Sequence, residues 1–286
     1  EMPRSSGYTT ALRNIGSIRN SGFELQLDGR IIDRAVKWDL GVNFSLNRSK
    51  VLVLSEDKDI FGGELDNTIL KDQLNLMRVG EPMYVFYGYV EDGYDENGHI
   101  VYKNMDDDPA ITAADKTIIG DPNPDFLVNL TTAVSYKGFT LSAFFQSSIG
   151  NDIYSLSMAA QAYDYGYNGN TLREVYYNHW TPENPTAKYP NLDQTSYKMS
   201  DRFVYDGSFV RLKNLELAYD VPCARSKFIK RARVYVSAQN LFTITSYPFW
   251  DPDINANGGG SSMIQGVDSY CYPSARTYTI GCRLTF

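Results

Sequence analysis

The sequence predicts an all-β protein, namely a transmembrane antiparallel β-barrel to which this chain contributes about seven strands. The first observation is that apolar and polar residues alternate without a break over 277–286, where the chain stops on the aromatic residue Phe286. The second is that six earlier segments alternate in the same way. The third is that no run of 18 or more apolar residues occurs, although the chain is 43% hydrophobic. These observations exclude a transmembrane helix and favour strands that cross a membrane.

Each strand is predicted from period-two alternation, because successive side chains of a β-strand point to opposite faces. The clearest case is 35–48, where the even-numbered residues from Val36 to Leu46 are apolar and the odd-numbered residues from Lys37 to Asn47 are polar or glycine. The seven predicted strands are 18–29, 35–48, 126–136, 138–149, 208–220, 232–243 and 277–286. About ten tilted residues span the hydrocarbon core of a bilayer, and polar faces rich in charge and amide are typical of a wet lumen.

The connections between the predicted strands alternate between short and long. Short connections lie at 30–34, at the tight turn 137–138 and between the strands 208–220 and 232–243, where the connecting segment contains Pro222. The long connections are about 50–124, 150–206 and 245–274. Outer-membrane barrels have short periplasmic turns and long extracellular loops. We therefore expect these three segments to be extracellular loops, provided that 50–124 contributes zero or two membrane strands. Because seven strands cannot close in lipid, we also expect strands outside this chain.

The composition excludes one class of partner and gives little support to catalysis. The net charge is −7 and the pI is near 4.9, whereas nucleic-acid binding requires a basic surface. The 22 tyrosines suit aromatic girdles at membrane interfaces, and they equally suit a sugar-binding surface. No nucleophile elbow, phosphate-binding glycine loop or HExxH motif occurs, and His99 and His179 lie outside any motif. No enzymatic activity is predicted.

An acidic segment in the first long connection has the ligand spacing of an EF-hand loop. Positions 1, 3, 5, 7, 9 and 12 of such a loop are Asn104, Asp106, Asp108, Ala110, Thr112 and Asp115. Hard cations such as Ca²⁺ require several oxygen ligands from one tight loop. However, Pro109 replaces the glycine of the sharp turn, and Asn104 replaces the usual first Asp. Two interpretations stay open, a Ca²⁺ site and an acidic loop that binds no ion.

The second and third long connections are rich in aromatic residues. The candidates for ligand contact are Tyr165, Tyr167, Trp180 and Trp250. Aromatic faces stack on sugar rings or peptide side chains, and Tyr and Trp add a polar group to a rigid contact area. The alternative interpretations are packing within the loops, girdle residues and contact with a partner protein.

The terminal aromatic residue is a candidate assembly signal. Phe286 ends an alternating strand, and this arrangement resembles the signal that the outer-membrane insertion machinery reads. We therefore expect Phe286 to act in assembly of the barrel.

Several segments, in this order, resemble one family over nearly the whole chain. They are NIGSIRNSGFE at 14–24, IGDPNPDF at 119–126, SYKGF at 135–139, SAFFQ at 142–146, DGSFVRLKNL at 206–215, RVYVSAQNLFT at 233–243, and Tyr272-Pro273 with the final Phe286. The chain resembles the C-terminal region of SusC/RagA-type TonB-dependent outer-membrane transporters. Similar transporters often carry a dockerin-like acidic stretch just ahead of the second segment, where 104–115 lies.

The resemblance implies a barrel of roughly 22 strands with a plugged lumen. Residues 1–286 would be the C-terminal portion of this one barrel domain, and the plug domain would lie outside the chain. The resemblance also implies the outer membrane of a Gram-negative bacterium, a SusD-like surface lipoprotein as a lid, and import of oligosaccharides or peptides. Energy would come from TonB–ExbB–ExbD through an N-terminal part that this chain lacks.

Two other functions stay open at this stage. One is an outer-membrane barrel that binds ligands at the surface or adheres to a partner without active transport. The other is a soluble sugar-active β-domain, which the polar, charge-rich strand faces disfavour.

Overall fold

The computed structural model describes residues 16–66, 70–163, 170–223, 228–254 and 263–286. The strands up to residue 120 are β1 (Gly16–Asp33), β2 (Val36–Leu54), β3 (Ile60–Phe61), β4 (Glu64–Asp66), β5 (Lys71–Gln73), β6 (Asn75–Met77), β7 (Val85–Gly88), β8 (Glu91–Tyr94), β9 (Ile100–Tyr102) and β10 (Thr117–Gly120). The later strands are β11 (Phe126–Tyr136), β12 (Phe139–Ile149), β13 (Asp152–Ser155), β14 (Val204–Asp206), β15 (Phe209–Val221), β16 (Arg231–Thr245), β17 (Val267–Asp268) and β18 (Thr277–Thr285). The helices are α1 (Leu156–Tyr163) and α2 (Arg173–Tyr177), with 3₁₀ turns at Ser55–Asp57, Ala113–Asp115 and Asp201–Phe203.

Seven long strands form one antiparallel sheet in the order β1-β2-β11-β12-β15-β16-β18. Each long strand therefore pairs with the next long strand in the chain. This order confirms the predicted antiparallel meander of seven strands. It also confirms that the first long connection contributes no strand to this sheet.

The register of the sheet keeps apolar side chains together on one face. Val42 of β2 lies opposite Leu27 of β1 and Leu130 of β11. The next residue, Asn43, lies opposite Gln26 and Asn129. Directly opposed residues in neighbouring strands point to the same face, so the alternation predicted from the sequence holds across strands. The sheet thus has a continuous apolar face and a continuous polar face.

The structure at two of the short connections shows where the neighbouring strands end. Lys137 and Gly138 have φ values of 47° and 85°, which fit the tight hairpin predicted there. The predicted connection at 30–34 is wrong, because β1 and β2 stay paired as far as Asp33 and Lys37. Their end is supported by Arg30, whose Nε donates to the Asp39 carboxylate at 2.8 Å. The turn is therefore shorter, and both strands are longer, than the alternation indicates.

The three long connections carry their own small elements. The first spans 55–125, the second 150–208 and the third 246–276. Two further sheets have the orders β10-β7-β6-β3 and β14-β13-β17, and two hairpins are β4-β5 and β8-β9. Among the described residues, no helix is long and apolar enough to cross a membrane.

Candidate functional site

The buried core of the described residues lies mainly in the long connections, which pack on one another as a loop assembly. Tyr154 of β13 contacts Phe86 of β7 with ring centroids 6.2 Å apart, and it pairs with Val267 of β17. Tyr163 of α1 stacks on Tyr197 at 3.7 Å between centroids. Aromatic side chains bury large apolar areas, so these contacts account for much of the cohesion of the assembly.

A buried ion pair joins the first connection to the second. The Arg202 guanidinium donates to the Glu91 carboxylate, with Nε 2.7 Å from the nearest oxygen, and both side chains are less than a fifth exposed. Arg202 also donates to the Tyr94 hydroxyl at 3.1 Å, and Ser200 donates to Glu91 at 2.6 Å. Buried charges require such complete pairing, so this cluster fixes how the two connections lie against each other.

A second buried guanidinium joins the sheet to the third connection. Arg211 of β15 is 1% exposed and donates to the Thr243 hydroxyl at 2.9 Å. It also donates to the carboxylates of Asp251 and Asp253 and to the Ser274 hydroxyl. Burial raises the pKa of the Asp251 carboxyl, but the Ser274 and Asp253 N–H groups and the guanidinium outweigh it, so the pKa is lowered overall. The segment 246–276 is thus anchored to the end of β15 and β16.

A buried hydroxyl cluster holds the third connection to β13. The Tyr247 hydroxyl lies 2.6 Å from the Asp268 carboxylate and 2.8 Å from the Ser155 hydroxyl. Asp268 also accepts from Ser157 at 3.1 Å. Burial and the neighbouring Asp268 carboxylate raise the pKa of Tyr247, so it stays a neutral donor.

The predicted aromatic contacts have different surroundings. Trp180 packs on the turn of the β8-β9 hairpin, where a Cβ on Gly98 would lie 2.2 Å from the indole ring. Trp250 is 55% exposed and stacks on Phe249 with centroids 4.7 Å apart. Tyr165 and Tyr167 lie outside the described residues. Trp180 thus packs between two connections, whereas Trp250 keeps one face available.

The predicted metal loop folds as a series of turns closed by Asp115. The side-chain oxygens of Asn104, Asp106 and Asp108 accept from the backbone N–H two residues further on, at 3.1, 2.8 and 3.0 Å. The buried Asp115 carboxylate accepts the backbone N–H of Met105 and of Thr112, both at 2.7 Å. These two hydrogen bonds hold the pKa of Asp115 below its usual value.

The side chains of this loop are of the kind that binds a hard cation. However, the side-chain oxygens of Asn104, Asp106 and Asp108 already accept hydrogen bonds from backbone N–H groups. The candidate ligand atoms are all oxygens, which Ca²⁺ prefers. Within the described ranges, no group of three or more His, Cys, Asp or Glu side chains is placed to hold a metal ion. The Ca²⁺ site therefore stays a prediction.

Phe286 lies outside the buried core. It is 71% exposed and follows β18, which ends at Thr285. We expect Phe286→Ser in the full-length protein to lower the amount of barrel in the outer membrane without destabilising barrels that have assembled. Phe286→Tyr, which keeps the terminal aromatic ring, is the matched control. The measurement is the heat-modifiable band in purified outer membranes, and equal bands for Ser and Tyr would contradict the role in assembly.

Comparisons with known proteins cover the whole chain. No family model matches it. It is 32% identical over its full length to TonB-dependent receptor P3 of Formosa agariphila and 28% identical to TonB-dependent receptor SusC of Bacteroides thetaiotaomicron. A solved structure of the RagAB peptide transporter matches all of the chain with a TM-score of 0.79 and 26% identity.

These matches also show how much of each relative the chain represents. The chain spans about 30% of the length of the curated relatives that it matches, and 31% of the matched chain of the RagAB structure. The similarity runs through the seven-stranded sheet and the long connections alike, because no part of the chain falls outside it. Over this part of their length, the chain is therefore a homologue of the SusC/RagA-type TonB-dependent receptors.

Proposed function

We propose that this chain is part of an outer-membrane importer that takes up oligosaccharides or peptides in a TonB-dependent, SusCD-type system. The observation that carries the proposal is a sheet with one apolar and one polar face, in a chain similar over its full length to TonB-dependent receptors. A strand that is apolar on one side only suits a wall between lipid and a wet lumen. The proposal assigns no enzymatic activity to the chain.

The order of the connections supports a sheet with two different ends, one with the long connections and one with the short connections. Because short and long connections alternate along the meander, the segments 55–125, 150–208 and 246–276 leave the same end of the sheet. In the proposal this end is extracellular and faces a SusD-like surface lipoprotein. Coupling to TonB–ExbB–ExbD would use an N-terminal part of the receptor.

The alternative is a barrel that binds ligands at the surface without active transport. The test compares wild-type cells with a deletion of the full-length receptor gene and with a TonB deletion. Each strain is supplied with a pool of neutral oligosaccharides and with a tryptic digest of casein, and depletion is measured by mass spectrometry. If the protein is an importer, neither deletion strain depletes the supplied molecules. Depletion that persists in both would contradict import and favour the surface binder.

We further propose that the loop 104–115 binds one Ca²⁺ weakly and orders the segment leading to β11. Its carboxylates at alternate positions support this, and affinities of extracellular Ca²⁺ modules lie at about 10⁻⁴–10⁻³ M. In the full-length receptor, Ca²⁺ should slow hydrogen exchange of this loop in that concentration range. Asp106→Asn should raise the half-effect concentration by about tenfold because it removes a charged ligand.

The control for this prediction is the neighbouring Asp107, which is exposed and lies outside the ligand spacing. Asp107→Asn removes the same charge and should change the half-effect concentration by no more than about twofold. If EGTA and added Ca²⁺ give identical exchange in the wild type, the loop is an acidic segment that binds no ion.

A further inference from the structure

A groove lies on the apolar face of the sheet, across β12, β15, β16 and β18. It consists of two adjoining cavities of about 500 and 240 Å³. Both cavities are lined by Leu217, Val236 and Ile280, which stand directly opposite one another on neighbouring strands. The first cavity extends to Ala238 and the second to Phe139. We call this surface, from Ala238 to Phe139, the lipid-side groove.

The length and the lining of the groove suit a hydrocarbon chain. Along β16 the groove runs from Val234 to Ala238, and four residues of an antiparallel strand cover about 14 Å. Half of the hydrocarbon core of a bilayer is about 15 Å thick. Ala238 stands opposite Leu215 and Tyr278, so its small side chain leaves space between two larger ones. None of the described residues that line the groove has a charged side chain. An extended acyl chain therefore fits within one leaflet.

A row of aromatic side chains closes the groove at the end of the sheet that has the short connections. Phe139 of β12 stands directly opposite Tyr136 of β11 and Tyr219 of β15. The rings of Phe139 and Tyr219 are 4.5 Å apart between centroids. The Tyr219 ring also lies against the hairpin turn, where a Cβ on Gly138 would be 3.1 Å from it. Aromatic residues collect at the headgroup level of a membrane, so this row marks where the groove meets the headgroups.

A cation is held at the same level, on the same face of the sheet. The Lys137 ammonium lies 5.2 Å from the centroid of the Tyr136 ring, a cation–π contact. The backbone of Lys137 is fixed in the turn, because the Asp220 N–H donates to the Gly138 carbonyl at 2.9 Å. Among the described residues, no carboxylate forms an ion pair with this ammonium. The end of the groove therefore carries one positioned positive charge.

The combination indicates the class of ligand. A groove without charged residues excludes a peptide or a sugar, whose polar groups would lose their hydrogen bonds to water there. An amphiphile with a hydrocarbon chain and an anionic headgroup matches both the groove and the cation beside it. A phosphate forms charge-assisted hydrogen bonds with an ammonium, and lysines near a membrane surface favour anionic lipids. A zwitterionic headgroup gains less, because it brings a cation of its own.

We propose that the lipid-side groove binds one acyl chain of an anionic glycerophospholipid, with the lipid phosphate beside Lys137. Because the short connections are periplasmic in the proposed function, this lipid belongs to the periplasmic leaflet. The inference rests on the proposed function for the position of the apolar face in the membrane. It adds a lipid site on the outer wall, separate from the path of any imported molecule.

The test uses the purified full-length receptor in a neutral detergent. Mixed micelles supply equal amounts of phosphatidylglycerol and phosphatidylcholine with the same acyl chains, and mass spectrometry quantifies the lipid retained after gel filtration. We expect phosphatidylglycerol to be retained in excess. Lys137→Gln should lower the ratio of the two retained lipids about fivefold, the effect of one lysine at an anionic lipid surface. Ala238→Phe fills the groove and should lower the retention of both lipids.

The matched control is Lys37→Gln, at the same end of the sheet. Lys37 stands opposite Ser135 on the polar face, so this variant removes the same charge and should keep the wild-type ratio. Equal retention of the two lipids by the wild type would overturn the proposal. So would an equal effect of Lys37→Gln and Lys137→Gln, or unchanged retention by Ala238→Phe in a barrel that keeps its heat-modifiable mobility.

These outcomes can be told apart from failure of the proposed function. A receptor that retains phosphatidylglycerol selectively but depletes neither nutrient pool contradicts import and supports the lipid site. A receptor that imports but retains the two lipids equally contradicts the lipid site alone.

Discussion

Asp251→Asn is expected to lower the stability of the third connection by about 1.5–3 kcal/mol, the usual contribution of a hydrogen bond to a charged group. The reason is the partner that remains. Arg211 is 1% exposed, so the positive charge of its guanidinium is buried. Without the Asp251 carboxylate, this charge keeps the Asp253 carboxylate, 3.2 Å away and about one-third exposed, as its ion-pair partner. Hydrogen exchange of segment 246–276 in the full-length receptor measures the loss.

The control substitution is Asp253→Asn, two residues along the same segment. It removes the same charge from the more exposed partner and should cost no more than about 1 kcal/mol. Equal exchange rates in the two variants would show that Arg211 does not depend on Asp251. In that case, the hydroxyl cluster around Asp268 would be the main anchor of this connection.

The Asp251 carboxylate also sets a pH dependence. Its pKa is lowered in the folded protein, so its contribution is fully present above the unfolded pKa, near 4. It is lost as the pH falls through the folded pKa. The protection factors of segment 246–276, which correct for the intrinsic pH dependence of exchange, should therefore fall below about pH 4 in the wild type, and this fall should be weaker in Asp251→Asn.

The strands could be predicted because period-two alternation is a local property. The alternation from Val36 to Leu46 indicates in the sequence itself which residues share a face. The turn at Lys137-Gly138 could be predicted because glycine readily adopts positive φ. The true ends of β1 and β2 could not be predicted in this way. They depend on pairing across strands, including the Arg30–Asp39 contact, which the alternation of one strand does not contain.

The contacts that organise the loop assembly join residues far apart in sequence. Glu91 and Arg202 lie 111 residues apart, and Arg211 and Asp251 lie 40 apart. Neither pair has a local motif, so sequence analysis missed them. The positive φ of Tyr84 has no signal either, because glycine or asparagine is the usual residue there. The loop 104–115 could be singled out in the sequence because the spacing of its oxygen-bearing residues is local, and its Ca²⁺ site stays a prediction.

Val42→Arg is expected to cost about 2–4 kcal/mol of folding stability, because it places a cation near the middle of the lipid-facing run 36–46. The neighbours of Val42 on that face are Leu27 and Leu130, neither of which can pair with a guanidinium. The chain offers a control one residue away. Asn43→Arg points to the polar face, between Gln26 and Asn129, and should cost far less.

The comparison is best made by folding titrations of the full-length receptor in lipid vesicles, with urea as denaturant. Both variants place the same side chain in β2 and change the net charge by the same amount. The difference between them isolates the environment of each face. Equal destabilisation would mean that both faces meet the same medium. That result would contradict the division of this sheet into a lipid-facing and a lumen-facing side, on which the transport proposal depends.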